Sequence, residues 1–135
     1  MRPRPAFVPA AVAAAFLSAA LPVRADALPP GDPVRGEALF RACAVCHTLT
    51  PDGGRRAGPT LWRVFGRTAG AVEGYRYSPA LKGSGIVWTE ETVARLFEVG
   101  PDVMAPGSKM PLQTIGDAQA RADLVAYLRT AAGGP

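Results

Sequence analysis

The segment Cys43-Ala44-Val45-Cys46-His47 narrows what this chain can become more than any other. On a helical turn, positions 43, 46 and 47 stand at i, i+3 and i+4 and project from one side. Two thiols and an imidazole then face one object together. C-x-x-C-H is the attachment pattern of a c-type haem, in which the thiols bond the porphyrin vinyl groups and the neighbouring imidazole reaches the iron. Competing readings fail on counting. A structural zinc site wants four Cys or His ligands, and the 135 residues hold two Cys and one His. A thioredoxin-like dithiol needs a strand leading into a helix, whereas the residues before Cys43 carry a helical period. A plain disulfide gives no reason for a histidine directly after the second cysteine. The expected cofactor is therefore one haem c, bonded through Cys43 and Cys46, with His47 on its iron.

The first residues read as an address. Met1-Arg2-Pro3-Arg4 is basic, Ala6 to Leu21 is almost wholly apolar, and Val23-Arg24-Ala25 offers small residues where a signal peptidase reads. Residues 1–25 are expected to be a cleaved export signal, with a cut after Ala27 as the near alternative. The apolar stretch contains Pro9 and falls short of the roughly 20 residues that span a bilayer. A periplasmic protein without a membrane span is the expectation, and an uncleaved signal acting as an anchor is the alternative. Three of the 15 Lys and Arg, namely Arg2, Arg4 and Arg24, precede the cut, which leaves the remainder close to electroneutral against 11 Asp and Glu. A nucleic-acid partner is not supported.

Residues 26–135 are expected to form one small domain. A chain of this size buries only a modest share of its surface, and 15 Gly and 14 Pro limit its regular structure. A haem at the centre supplies the missing apolar body. Asp32 followed by Pro33 is a helix start, and Gly36, Leu39, Phe40 and Cys43 then share one stripe. Glycine costs about 1 kcal/mol relative to alanine inside a helix, so Gly36 implies close approach of another helix. That partner is expected to open near Asp117 and run to about Ala131, with Leu124, Tyr127, Leu128 and Ala131 on its packed face and Arg121, Asp123 and Arg129 on its other faces. Phe40 and Tyr127 are expected to join the two ends of the chain. A third helix starts at Thr89, has Glu90 and Glu91 at the positive end of its dipole, and stops at Gly100-Pro101. The region between is broken by Gly and Pro, and the strand signal is poor throughout.

The sixth position on the iron largely decides whether such a protein carries electrons, binds gas or does chemistry. His47 is the sole histidine, so two imidazoles from one molecule cannot share the iron. Methionine, lysine, an outside ligand or nothing must fill the site; among methionines, Met1 leaves with the signal, and Met104 and Met110 remain. A buried thioether favours reduced iron and suits an electron carrier. Met110 is preferred, because Pro106-Gly107-Ser108-Lys109-Met110-Pro111 reads as a rigid non-helical loop.

The motifs Gly36-x-x-x-Phe40-x-x-Cys43-Ala44-Val45-Cys46-His47, Gly58-Pro59-Thr60-Leu61, Gly66-Arg67-Thr68-Ala69-Gly70, Gly74-Tyr75-Arg76-Tyr77, Gly85-Ile86-Val87-Trp88, Pro106-Gly107-Ser108-Lys109-Met110 and Arg121-Ala122-Asp123-Leu124-Val125-Ala126-Tyr127-Leu128 occur in an order that resembles class I cytochrome c, nearest the mitochondrial cytochrome c and bacterial cytochrome c2 branch. The resemblance implies an all-α fold, with three main helices plus short helical turns and long loops wrapped around one covalent haem. It implies Met110 as sixth ligand, the Pro59 carbonyl as hydrogen-bond acceptor for the His47 ring, and Arg67, Tyr77 and Trp88 as the groups that hold the buried propionate. It also shows departures. By ungapped alignment from His47, Leu96 and Leu81 replace a tyrosine and an asparagine near the methionine, Val99-Gly100-Pro101 carries about one extra residue, and Lys82 and Lys109 are the only lysines. Arg55, Arg56, Arg63, Arg67, Arg76 and Arg95 are candidates for a smaller basic surface.

A soluble one-electron carrier, passing electrons between a redox donor and acceptor in a respiratory or related chain, is the leading expectation. The alternative is a dedicated haem subunit of a periplasmic dehydrogenase or reductase, motivated by the weak net charge and missing lysine ring. An enzymatic role is disfavoured, because no second histidine is available as acid or base.

Overall fold

The carboxylate of Asp32 accepts the Val34 N–H at 2.8 Å, and Pro33, which has no N–H to leave unpaired, fills the first turn of helix α1, Pro33–Cys43. The structure, a computed structural model, describes residues 27–54 and 56–133. The expected export signal, Arg55 and the last two residues lie outside the described residues. Ser78 caps a short α2, Pro79–Lys82. At α3, Glu90–Val99, the Thr89 hydroxyl accepts from the Thr92 N–H while the Thr92 hydroxyl oxygen accepts from the Thr89 N–H, a reciprocal cap. Gly100 turns the chain at φ 94° into α4, Pro101–Met104, and Asp117 caps α5, Ala118–Ala131. Three longer helices and two four-residue ones make the expected all-α fold. Among the described residues, β-pairing is confined to one antiparallel bridge between Thr68 and Val87.

The contact of α1 with α5 is close because Gly36 has no side chain. A Cβ there would collide with the Asp123 carbonyl oxygen and lie 2.7 Å from the Tyr127 Cβ. One turn further on, the Phe40 and Tyr127 rings meet with centroids 5.3 Å apart. Phe40, Leu124, Val125 and Leu128 from these helices and Val93, Ala94 and Phe97 from α3 form the core. At the far end of α5, the Arg63 N–H donates to the Ala132 carbonyl at 2.6 Å, and the Trp62 ring lies over Gly133.

Two charged residues do not sit where helical spacing assigns them. Asp123 is not on a solvent face of α5 but only 3% exposed. Its carboxylate accepts from the Asp32 N–H at 2.7 Å, from Arg35 Nε and Nη2 at 2.7 and 3.0 Å, and from Gln119 Nε2 at 2.9 Å. Charged hydrogen bonds on both oxygens compensate for lost hydration. The Arg35 guanidinium, helped by the Asp32 N–H and Gln119, holds this carboxyl well below the usual carboxylate range. Arg121 is also largely covered, its side chain 11% exposed, and spends its donors on the loop before α5. Arg129 is exposed as expected and pairs with Glu90 at 3.0 Å.

Candidate functional site

The turn after α1 keeps helical geometry for a few residues more. The Cys43 carbonyl accepts both the Cys46 N–H at 3.0 Å and the His47 N–H at 2.9 Å, which winds Cys46 and His47 back over Cys43. Arg56 donates to the Ala44 carbonyl at 2.9 Å and so covers an acceptor left open at the helix end. The following loop returns through Gly58 N–H to Cys46 carbonyl at 2.8 Å and Leu61 N–H to Thr48 carbonyl at 2.8 Å. That return puts the Pro59 carbonyl 2.8 Å from His47 Nδ1. A carbonyl only accepts, so Nδ1 is the protonated nitrogen. Burial lowers the pKa of His47 and keeps the ring neutral, leaving the Nε2 lone pair for a metal. Gly58 makes room for this arrangement: a Cβ there would lie 2.5 Å from His47 Cε1.

Cys43, Cys46, His47, Pro59, Arg67, Tyr77, Trp88 and Met110 all line one cavity. About 260 Å³ of it is open to the centres of water molecules, and all five helices contribute to its wall. An apolar hollow of this size at the core of a small domain forfeits the packing contacts that hold such a domain together. A flat apolar body restores them, and two thiols and a free imidazole nitrogen stand at its edge to bind one. Burial pushes the Cys43 thiol up, so the unreacted Cys43 is held as a thiol rather than a thiolate.

The polar end of the cavity fits a carboxylate. Arg67 gives Nη1 to the Trp62 carbonyl at 2.6 Å and Nη2 to the Thr60 carbonyl at 2.8 Å, which fixes the guanidinium plane. It has no carboxylate partner among the described residues, and burial lowers its pKa. Burial raises the pKa of Tyr77, so its hydroxyl stays a donor. A half-buried cation beside a phenol is a site that an anion completes. The donor set and the apolar hollow together fit a haem with a buried propionate.

Met104 and Met110 both reach the cavity wall, Met104 from the end of α4 and Met110 from the loop beyond it. Met110 packs against the core cluster and its N–H donates to Ser108 Oγ at 3.2 Å. Leu81 and Leu96 also line the cavity, where they present hydrocarbon rather than hydrogen-bond donors.

Sequence reasoning missed three contributors. Gly58 was visible only as part of a motif, although a glycine eleven residues after a candidate ligand, just before a proline, is a signal for close backbone approach. Arg56, one of the candidates for a basic surface, is exposed and also caps the cysteine turn. Arg121 was placed only on a face of α5 other than the packed one, yet it holds the loop that carries Met110, and no local signal reveals that.

Comparison with known proteins places this geometry. The family model described as Cytochrome c matches residues 33–132. A cytochrome c2 of Rhodomicrobium vannielii is 39% identical over 120 residues, covering 89% of this chain and 95% of the relative. A cytochrome c2 of Rhodopila globiformis is 46% identical over 103 residues, 76% of this chain and 95% of the relative. A cytochrome c of Ginkgo biloba is 38% identical over 104 residues, 76% of this chain and 91% of the relative.

Proposed function

The chain belongs to the cytochrome c family of electron-transfer proteins, which bind haem c covalently through a cysteine pair, and we propose that it is a soluble periplasmic one-electron carrier with His47 and Met110 as its axial ligands. When bound, the haem supplies an iron that alternates between its ferrous and ferric states. The residues supply its setting. Cys43 and Cys46 fix the porphyrin, and the Pro59 carbonyl orients His47 and makes it a stronger donor. Met110 would supply a thioether to the iron, which favours the reduced metal. Arg67, Tyr77 and Trp88 hold the inner propionate. Among the described residues no helix is long and apolar enough to cross a membrane. Export through residues 1–25 and exchange of electrons with a redox donor and acceptor complete the reading.

The observation that carries it is the His47–Pro59 hydrogen bond beside two thiols on an apolar cavity. A redox titration of the purified protein, followed by its optical spectrum, tests it. One reversible step and a ferric band diagnostic of sulfur ligation are expected. Met110→Ala is to lose that band and lower the potential, while Met104→Ala keeps both. A band that survives Met110→Ala removes the ligand assignment.

A further inference from the structure

The loop that carries Met110 is tied down only at its two ends. On the near side, the Ser108 N–H donates to the Ala105 carbonyl at 2.8 Å and Lys109 Nζ donates to the Arg76 carbonyl at 2.8 Å. On the far side, the Ile115 N–H donates to the Phe97 carbonyl of α3 at 2.7 Å. Between them, residues 111–114 are all exposed and make no hydrogen bond among the described residues. No hydrogen bond along this span holds Met110 inward, so its position leans on where the ends are held.

Arg121 is the side chain that holds the far end. Its Nη1 donates to the Ile115 carbonyl at 2.7 Å and to the Gly116 carbonyl at 3.0 Å, while Nη2 lies 3.8 Å from Glu98 Oε1 on α3. One guanidinium thereby joins the loop end, α3 and α5. Without it, the far end keeps only the single Ile115–Phe97 backbone bond, a weaker tether, and opening that one bond lengthens the free span to the Asp117 cap of α5 and favours withdrawal of the loop.

We infer that Arg121 is a positioning residue for the sixth ligand, a clamp that keeps the Met110 loop closed over the haem. The inference rests on the reading of Met110 as that ligand. Arg121 makes its bonds to Ile115 and Gly116 in the closed loop and loses them when the loop withdraws, so it biases the two states against each other. An outside ligand for the iron binds only the withdrawn state, and its apparent affinity scales with that state's population.

Imidazole titrated into the ferric holoprotein at neutral pH, read by its optical spectrum, measures this population. Arg121→Gln is expected to tighten imidazole binding about tenfold, in line with loss of charge-assisted hydrogen bonds, and to dim the sulfur band. Asp123→Asn, two residues away on α5, is expected to lower stability while keeping wild-type imidazole affinity, because it touches no part of the loop. Wild-type affinity in Arg121→Gln would overturn the proposal. If that variant does not fold, Arg121→Lys stands in: its side chain ends one bond short of the carbonyls and is expected to tighten binding by at least about threefold, and wild-type affinity there overturns the clamp equally. Met110→Ala separates the two readings. It is expected to bind imidazole more tightly than any other variant, and wild-type affinity in it removes the ligand assignment and the clamp together.

Discussion

The contact of α1 with α5 and the loop of residues 105–117 face the same cavity and are built on opposite terms. In the first, helix backbones meet over Gly36, aromatic rings interlock, and a buried carboxylate has its acceptors filled from two helices. In the second, exposed residues hang between two anchors. Stability is concentrated in the region that carries the cysteines and His47, and adjustability in the region that carries Met110. On the proposed ligation, one ligand is thus set by the fold and the other by a balance that single side chains can tip.

The contrast is broken most forcefully from the packed side. Phe40→Ala removes a ring from the core and is expected to cost about 4 kcal/mol, measured as the shift of the denaturant midpoint at constant slope. A cost near 1 kcal/mol would mean that the helix contact is not where stability resides. Asp123 gives a smaller effect with a pH signature. Its folded pKa lies below the unfolded value of about 3.9, so the unfolded chain binds more protons in the window between the two. The stabilisation is fully present above that value and fades as the pH falls through the folded pKa. Urea midpoints of wild type and Asp123→Asn should therefore differ most at neutral pH and converge under strong acid, and parallel curves would count against a paired carboxylate. The smallest effect lies in the loop. Leu112 is 67% exposed, and Leu112→Ala is expected to move stability by less than about 0.5 kcal/mol. A larger loss would show that the loop carries packing of its own.

What the sequence made legible follows from how far each signal reaches along the chain. Asp32-Pro33, Thr89 and Asp117 mark helix starts because a cap acts within three residues. The stripe from Gly36 to Cys43 and its counterpart on α5 follow from helical period, and the missing side chain of Gly36 correctly implied a close neighbour. The eight proposed site residues share one cavity because their motifs sit in loops whose order the family resemblance supplied. Asp123 was misplaced for the opposite reason. A charged residue on a helix is solvated unless a partner arrives, and the partner, Arg35, lies 88 positions earlier. Arg121 escaped in the same way, since its acceptors are backbone carbonyls that no side-chain identity encodes. The four-residue helices α2 and α4 are too short to show any period.

Leu81, Leu96, Val64 and Ile86 leave the cavity wall with few dipoles free to swing. When the charge enclosed by such a wall changes by one unit, little surrounding matter has to reorient. Each transfer then spends only a small part of its driving force on rearranging the protein, and the interior of this domain favours speed in both directions of exchange.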